Sequence, residues 1–198
     1  YHPFSVAKRS KVQFDITSIG KKHEKVGVYI EKNVNGRWKK VGYSTTVKPD
    51  KYDSIVLYGL EAGKYRLALK TPKDQIINVE YTRDKSKKKA AYKKSKAINL
   101  KSDIDSIYTS TEKAARWYKV SVSSTKKRKA VTLSKDSVGG GFKFRVYQKG
   151  KRLKTVRVTK NDKVKTVKLP KKKGTYYVKV TKLTSKTTGA YYLGTYTY

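Results

Sequence analysis

Six side chains, Lys143, Arg145, Tyr147, Arg157, Tyr177 and Lys179, alternate with apolar residues in three short runs, and their types and spacing suggest ligand binding. In Phe142-Lys-Phe-Arg-Val-Tyr147, an extended chain that buries Phe142, Phe144 and Val146 turns Lys143, Arg145 and Tyr147 to water. The same alternation buries Tyr176, Val178 and Val180 while exposing Tyr177 and Lys179, and Arg157 lies between Val156 and Val158. If these strands are neighbours, they make a basic, tyrosine-bearing sheet face suited to sulfated or carboxylated sugars by charge and ring stacking. The competing reading is a solvated exterior whose lysines keep the protein soluble and its strand edges unpaired.

Other constellations offer less. The two histidines, His2 and His23, stand near no nucleophile pattern, and with no cysteine in the chain they assemble no metal-ligand cluster. Asp103-Ile-Asp105 puts two carboxylates on one face of an extended chain, the geometry of a calcium or acid–base pair, but calcium needs about six oxygens. Asp50 and Asp53 beside Pro49 read as turn residues, and Asp103 and Asp105 as surface. Gly139-Gly-Gly141 lacks the Gly-Lys-Ser/Thr and the helix of a phosphate loop and reads as a flexible hairpin connection. Gly140 to Tyr147 has the aromatic rhythm of an RNA-binding strand, without that motif's basic and small positions or its two helices. Lysine also outnumbers arginine, whereas planar base and phosphate recognition favours arginine. No catalytic residue, metal or cofactor is assigned, and specific nucleic-acid binding ranks low.

Charge bounds the partners. The chain carries 50 Lys and Arg against 14 Asp and Glu, a net +36, and from Lys113 onward 25 basic residues face 2 acidic ones. Such density draws polyanions, whether acidic glycans, teichoic acids, anionic lipid or nucleic acid, and it also repels itself. With 198 residues, 36% of them hydrophobic, and 17 tyrosines, there is material for two modest cores. The absence of cysteine excludes disulfides, zinc thiolates and thiol catalysis. No run approaches the ~18 apolar residues of a membrane helix, and no signal peptide opens the chain. The lack of any methionine suggests a processed piece of a longer protein.

The elements that must position these residues are set by an internal repeat. Gly63-Lys-Tyr-Arg-Leu-Ala-Leu-Lys70 and Gly174-Thr-Tyr-Tyr-Val-Lys-Val-Thr-Lys-Leu183 both open on glycine and alternate apolar residues. In register, Tyr1 to Val6 matches Trp117 to Val122, and Val12 to Ile16 matches Val131 to Leu133. Val28-Tyr-Ile-Glu-Lys and Phe144-Arg-Val-Tyr-Gln each lead through a turn, Asn35-Gly36 or Lys149-Gly150, into a returning strand. Ser54 to Tyr58 matches Lys165 to Leu169, and each copy closes on a tyrosine-bearing strand, Ile76 to Thr82 or Ala190 to Thr197. Arg83 to Lys96, rich in lysine, reads as a solvated linker with room for a short helix. Ala97 to Tyr108 reads as a leading strand pair, and Thr109 to Glu112 has the spacing of a capping box before at most one helical turn.

The second copy, from about 95 to 198, resembles the bacterial pre-peptidase C-terminal domain family. The resemblance rests on Ala97-Ile-Asn-Leu100, Arg116-Trp-Tyr-Lys-Val-Ser-Val122 and Phe144-Arg-Val-Tyr147, with Gly174-Thr-Tyr-Tyr-Val-Lys-Val180 and Gly189-Ala-Tyr-Tyr-Leu193. The first copy follows the same order less closely. Lys143 and Arg145 stand where the family often has aspartates, which argues against calcium or acidic-surface chemistry there. The resemblance implies small jelly-roll-like sandwiches appended to secreted peptidases and other exported proteins.

The expectation is therefore all-β: two tandem jelly-roll-like antiparallel β-sandwich domains, 1–84 and 96–198, joined by a basic linker at 85–95. The match to the first strand begins at Tyr1, so the N-terminal edge of the first domain is read as truncated. The functional expectation is a non-enzymatic accessory or cell-surface module of an exported bacterial protein, extracellular, whose partner is an anionic polysaccharide or teichoic acid. The alternatives are a module for collagen or another matrix protein, and a structural spacer of a secreted peptidase. Oligomeric state is open.

Overall fold

The computed structural model describes residues 1–19, 24–49, 54–85, 90–101 and 103–198, with Ser54 described by its backbone alone. In the N-terminal half, β1 (His2–Val6), β2 (Ser10–Ile19), β3 (Val26–Val34), β4 (Arg37–Val47), β5 (Ser54–Leu60), β6 (Gly63–Lys70) and β7 (Ile76–Lys85) form two sheets. Their orders are β1-β6-β3-β4 and β5-β2-β7. The C-terminal half holds β8 (Ile98–Asn99), β9 (Ile104–Tyr108), β10 (Arg116–Val122), β11 (Lys129–Gly139), β12 (Phe142–Gln148), β13 (Lys151–Val158), β14 (Val164–Lys168), β15 (Gly174–Lys182) and β16 (Thr188–Thr197). Here the orders are β13-β12-β15-β10-β8 and β14-β11-β16-β9. Without β8 and β9, the two halves have the same strand order. The fold is an all-β sandwich type.

Alternation builds these strands. Along β2 every second residue from Ser10 to Ser18 is buried, and along β12 Phe142, Phe144 and Val146 are buried between half-exposed neighbours. Asn35 and Gly36 take φ of 52° and 80°, and Lys149 and Gly150 take 46° and 79°. Two successive left-handed residues match the twist of a two-residue hairpin, and so lay β4 beside β3 and β13 beside β12.

The inward residues fill two hydrophobic clusters. One joins Phe4, Val12, Phe14, Ile16, Val28, Ile30, Tyr58, Tyr65 and Leu67. The other joins Tyr108, Tyr118, Val120, Leu133, Phe142, Phe144, Tyr176, Val178, Val180, Tyr191 and Leu193. Each such side chain stabilises by about 1.5–3 kcal/mol on burial. The buried phenols find partners: Tyr108 donates to the Ala114 carbonyl at 3.0 Å, and Tyr118 bonds to Ser106 at 2.9 Å and to Tyr191.

Several connections differ from the sequence reading. Ala97 to Tyr108 makes no strand pair: β8 runs parallel to β10 and β9 antiparallel to β16, in opposite sheets. No helix follows Thr109 to Glu112. Instead Glu112 and Arg116, both buried, join through Nε–Oε1 at 3.0 Å and Nη2–Oε2 at 2.8 Å, with the Arg116 guanidinium 4.0 Å over the Tyr108 ring. A fully buried ion pair outcompetes a cap that would face water. Gly139-Gly-Gly141 is no hairpin either. It carries the chain from β11 to β12, between sheets, and Tyr43 packs where Cβ atoms on Gly139 and Gly140 would stand. Among the described residues of the lysine-rich connection, a 3-10 turn spans Lys94–Lys96, and Ala91 is buried with its carbonyl accepting from Trp117 N at 2.8 Å.

The outward face of β5 lies against β16, β11 and β9, and β4 also touches β11. Leu57, Ile107 and Ala190 are buried there although they belong to neither cluster. A Cβ on Gly59 would stand 2.2 Å from the Tyr108 carbonyl oxygen, so this backbone approach requires glycine. Lys11 Nζ donates to Tyr192 OH at 3.1 Å, and Arg9 pairs with Glu112 at 3.3 Å.

Candidate functional site

The outer sheet β13-β12-β15-β10-β8 gathers all six of the side chains singled out at the start. Pairing places them in rungs across the strands. Arg157 stands opposite Lys143, which stands opposite Thr181. In the next rung Thr155, Arg145, Lys179 and Trp117 follow one another, and in the third Arg152, Tyr147, Tyr177, Lys119 and Asn99. On β10, β12 and β15 these residues point away from the core, because their neighbours in sequence face inward, and on β13 pairing sets Thr155 and Arg152 beside them. No carboxylate interrupts these three rungs.

The aromatic groups are ordered by the cations around them. Trp117 and Tyr147 reach across β15 to bring their ring centroids within 5.7 Å. Lys179 Nζ lies 5.2 Å from the Trp117 ring, and Lys94, from the 3-10 turn, lies 4.7 Å from the Tyr177 ring. Arg145, then partial desolvation, then Arg157 hold the Lys143 ammonium below the ordinary lysine range. Lowered basicity in an exposed lysine indicates uncompensated positive charge, which an anionic group would relieve.

The equivalent sheet of the N-terminal half differs in its central rung. In the register of the repeat, Glu31 and Arg66 hold the positions of Tyr147 and Tyr177, and they form an ion pair at 2.6 Å. Tyr29 and Ala68 stand where the other half has Arg145 and Lys179. Arg66 is further held between the rings of Tyr1 and Trp38, at 3.9 and 4.5 Å. The rung that holds Tyr147 and Tyr177 in the C-terminal half is thus an ion pair in the N-terminal half.

Trp117, Lys119, Arg152 and Lys94 were missed as members of the face. The alternation in Arg116-Trp-Tyr-Lys-Val-Ser-Val122 already turns Trp117 and Lys119 outward, so that signal was available. No periodicity marks Lys94, which depends on how the preceding connection packs.

The remaining candidates are dispersed. His2 is exposed on β1, while His23, Asp50 and Asp53 lie outside the described residues. Asp103 and Asp105 do share an outward sheet face, with Asp105 opposite Tyr192 on β16. Partial desolvation raises the pKa of Asp105, Asp136 and Asp84 add to it, and Lys11 counteracts them. Among the described residues no group of three or more His, Cys, Asp or Glu could hold a metal, and no helix is long and apolar enough to cross a membrane.

No family model matches the chain, and no curated protein does. Among solved structures, it is similar to the pre-peptidase C-terminal domain of a collagenase from Bacillus anthracis, at 17% identity and TM-score 0.39, over 50% of this chain and 92% of that one. It is also similar to the PBSX exported protein XepA, at 10% identity and TM-score 0.31, over 98% and 82% of the two chains. A tandem CBM22 domain of Xyn10C from Paenibacillus barcinonensis aligns at 8% identity and TM-score 0.29, over 99% and 82%. Likeness at this level assigns no ligand.

Proposed function

We propose that this chain is a non-catalytic accessory or surface module of an exported bacterial protein, holding its parent against an anionic glycan or cell-wall polymer such as teichoic acid. It acts as two tandem sandwiches, 1–84 and 96–198, with a basic connection at 85–95 and its binding face on the second. The observation that carries this reading is the three-rung face, where Arg157, Lys143, Arg145 and Lys179 adjoin Tyr147, Tyr177 and Trp117 without an intervening carboxylate. Ammonium and guanidinium groups attract sulfate, carboxylate or phosphate, and the rings offer a flat apolar surface to sugar C–H groups. Lysine-rich faces bind as point charges, which suits a repeating polyanion better than one defined anion.

The test must separate the face from the overall charge of +36. Heparin and teichoic-acid columns with a salt gradient compare the wild type with R145T/K179T and with K160T/K171T, a control that loses the same charge from exposed positions. The face variant is expected to elute at clearly lower salt than the control. Equal elution of the two variants refutes the assignment. Retention on collagen that survives high salt in both would instead point to a matrix-protein partner.

A further inference from the structure

A groove of about 360 Å³ crosses the outward face of the sheet β14-β11-β16-β9, lined by Asp103, Thr132, Ser134, Thr166, Tyr192, Gly194, Thr195 and Tyr196. None of these residues is basic, in a chain with 50 Lys and Arg. Its construction follows from strand register. Thr166 stands opposite Thr132, and Thr132 opposite Gly194. The Asp103 carboxylate lies over Gly194, so near that a Cβ there would be 2.0 Å from Oδ1. One rung therefore presents, in line, two hydroxyls, bare backbone and a carboxylate.

The walls come from the same strand. Tyr192 and Tyr196 sit two residues to either side of Gly194 and share its outward direction, so their rings border the rung. Lys11 from β2 donates to the Tyr192 hydroxyl at 3.1 Å and fixes that ring from across the junction. Tyr196 is 47% exposed and has its ring centroid 5.8 Å from that of Tyr198, extending the aromatic wall outward. The Thr132 and Thr166 hydroxyls, 3.0 Å apart, keep lone pairs and one proton available to a ligand.

We propose that this groove is a second binding site, for a neutral oligosaccharide. Sugar rings present apolar C–H faces to tyrosine and hydroxyls to Thr, Ser and a carboxylate, and every lining side chain supplies one of these complements. Asp103 disfavours the polyanion proposed for the other sheet, since a carboxylate without a lining cation repels sulfate and phosphate. Four strands spaced about 4.8 Å apart give a rung of roughly 14 Å, enough for a short run of sugar rings. Because the groove and the basic face lie on opposite sheets of one sandwich, the two ligands would not compete.

The test is a titration of the ¹⁵N-labelled chain with cellohexaose, xylohexaose and chitohexaose. It is run in about 1 M NaCl, where the screening length is about 3 Å and charge-led binding collapses. At least one sugar is expected to shift the amides of Thr132, Thr166, Tyr192 and Gly194. D103N and Y196A should each weaken it by about tenfold while leaving heparin elution unchanged. Both changes are at exposed side chains, so folding is preserved. Failure of all three sugars to bind overturns the proposal, as do shifts elsewhere or shifts that both variants retain. Loss of heparin binding in R145T/K179T leaves sugar binding intact if the two sites are separate.

Discussion

Arg145 and Lys179 stand directly opposite one another on β12 and β15 with no carboxylate in their rung. Like charges in facing positions destabilise a sheet by about 0.2–1 kcal/mol, so the proposed binding face carries some cost in stability. Replacing either by threonine removes the repulsion and keeps a good strand former. R145T and K179T are expected to raise the melting temperature by a few degrees in low salt while weakening polyanion binding. Calorimetry beside column elution checks both signs, and a fall in melting temperature refutes the frustrated-face reading.

Repulsion on a larger scale should make the whole chain salt-sensitive. At a net +36, raising NaCl from about 0.01 M to 0.15 M shortens the screening length from about 30 Å to 8 Å. The melting temperature is expected to rise over that interval. Heparin should raise it further, by about 2.7 kcal/mol in stability at a hundredfold excess over the dissociation constant. A melting temperature that falls between low and moderate salt contradicts this account.

Much of the face was legible in sequence because period-two alternation assigns each strand residue to one side. Lys143, Arg145 and Tyr147 had to share a side once Phe142, Phe144 and Val146 were placed inward. Alternation does not say which strands are neighbours, so the line of Thr155, Arg145, Lys179 and Trp117 emerged only from long-range register. The repeat conveyed strand order, and Asn35-Gly36 and Lys149-Gly150 conveyed the hairpins, since their left-handed turns are local. Contacts between the halves carried no such mark. Gly59 and Gly139 look like any strand or loop glycine until a second backbone or Tyr43 is seen against them. Thr109 to Glu112 has the spacing of a capping box, but spacing alone does not show that Glu112 turns to Arg116 rather than to a helix N-terminus.

Lys143 provides a pH signature. Its ammonium is held below the ordinary lysine value by Arg145, desolvation and Arg157, and a bound anion favours the charged form. Around that lowered pKa, binding therefore takes up a proton. Affinity should be full below the lowered pKa and decline as pH rises through it, before the ordinary lysine value of about 10.4. An exposed charge limits the loss to about two- to fivefold. Heparin affinity measured from pH 7 to 10 should show it, and K143R should abolish the decline, because guanidinium stays charged. A flat profile in the wild type excludes Lys143 from the contact.

The Glu112–Arg116 pair predicts a large stability effect. Both side chains are about 95% buried, and the guanidinium also donates to the Ile107 carbonyl and covers the Tyr108 ring. Removing one partner leaves a desolvated charge, at a cost of about 3–5 kcal/mol. E112A should accordingly lower stability by that order in urea unfolding. E112A/R116M, which removes both charges and keeps apolar volume, should recover a large part of it. If the double variant is no better than the single one, packing and hydrogen bonds rather than charge account for the loss.

Gly59 decides whether the two halves move as one. Its N–H donates to Thr188 Oγ1 at 3.1 Å, that hydroxyl donates back to the Gly59 carbonyl, and no space remains for a side chain. Gly59→Val must therefore push β5 away from β9 and β16, whereas Thr188→Val removes the hydroxyl with little change in shape. Neither residue belongs to a hydrophobic cluster, so both variants should keep their cores. G59V is expected to increase hydrogen exchange at Leu57, Ile107 and Ala190 and to broaden the solution scattering profile, while T188V does so weakly. Lys11 would also withdraw from Tyr192, so sugar binding in the groove should weaken in G59V, whereas polyanion binding on the far sheet should not. Unchanged exchange at those three residues would mean that the junction tolerates the added bulk and does not hold the halves together.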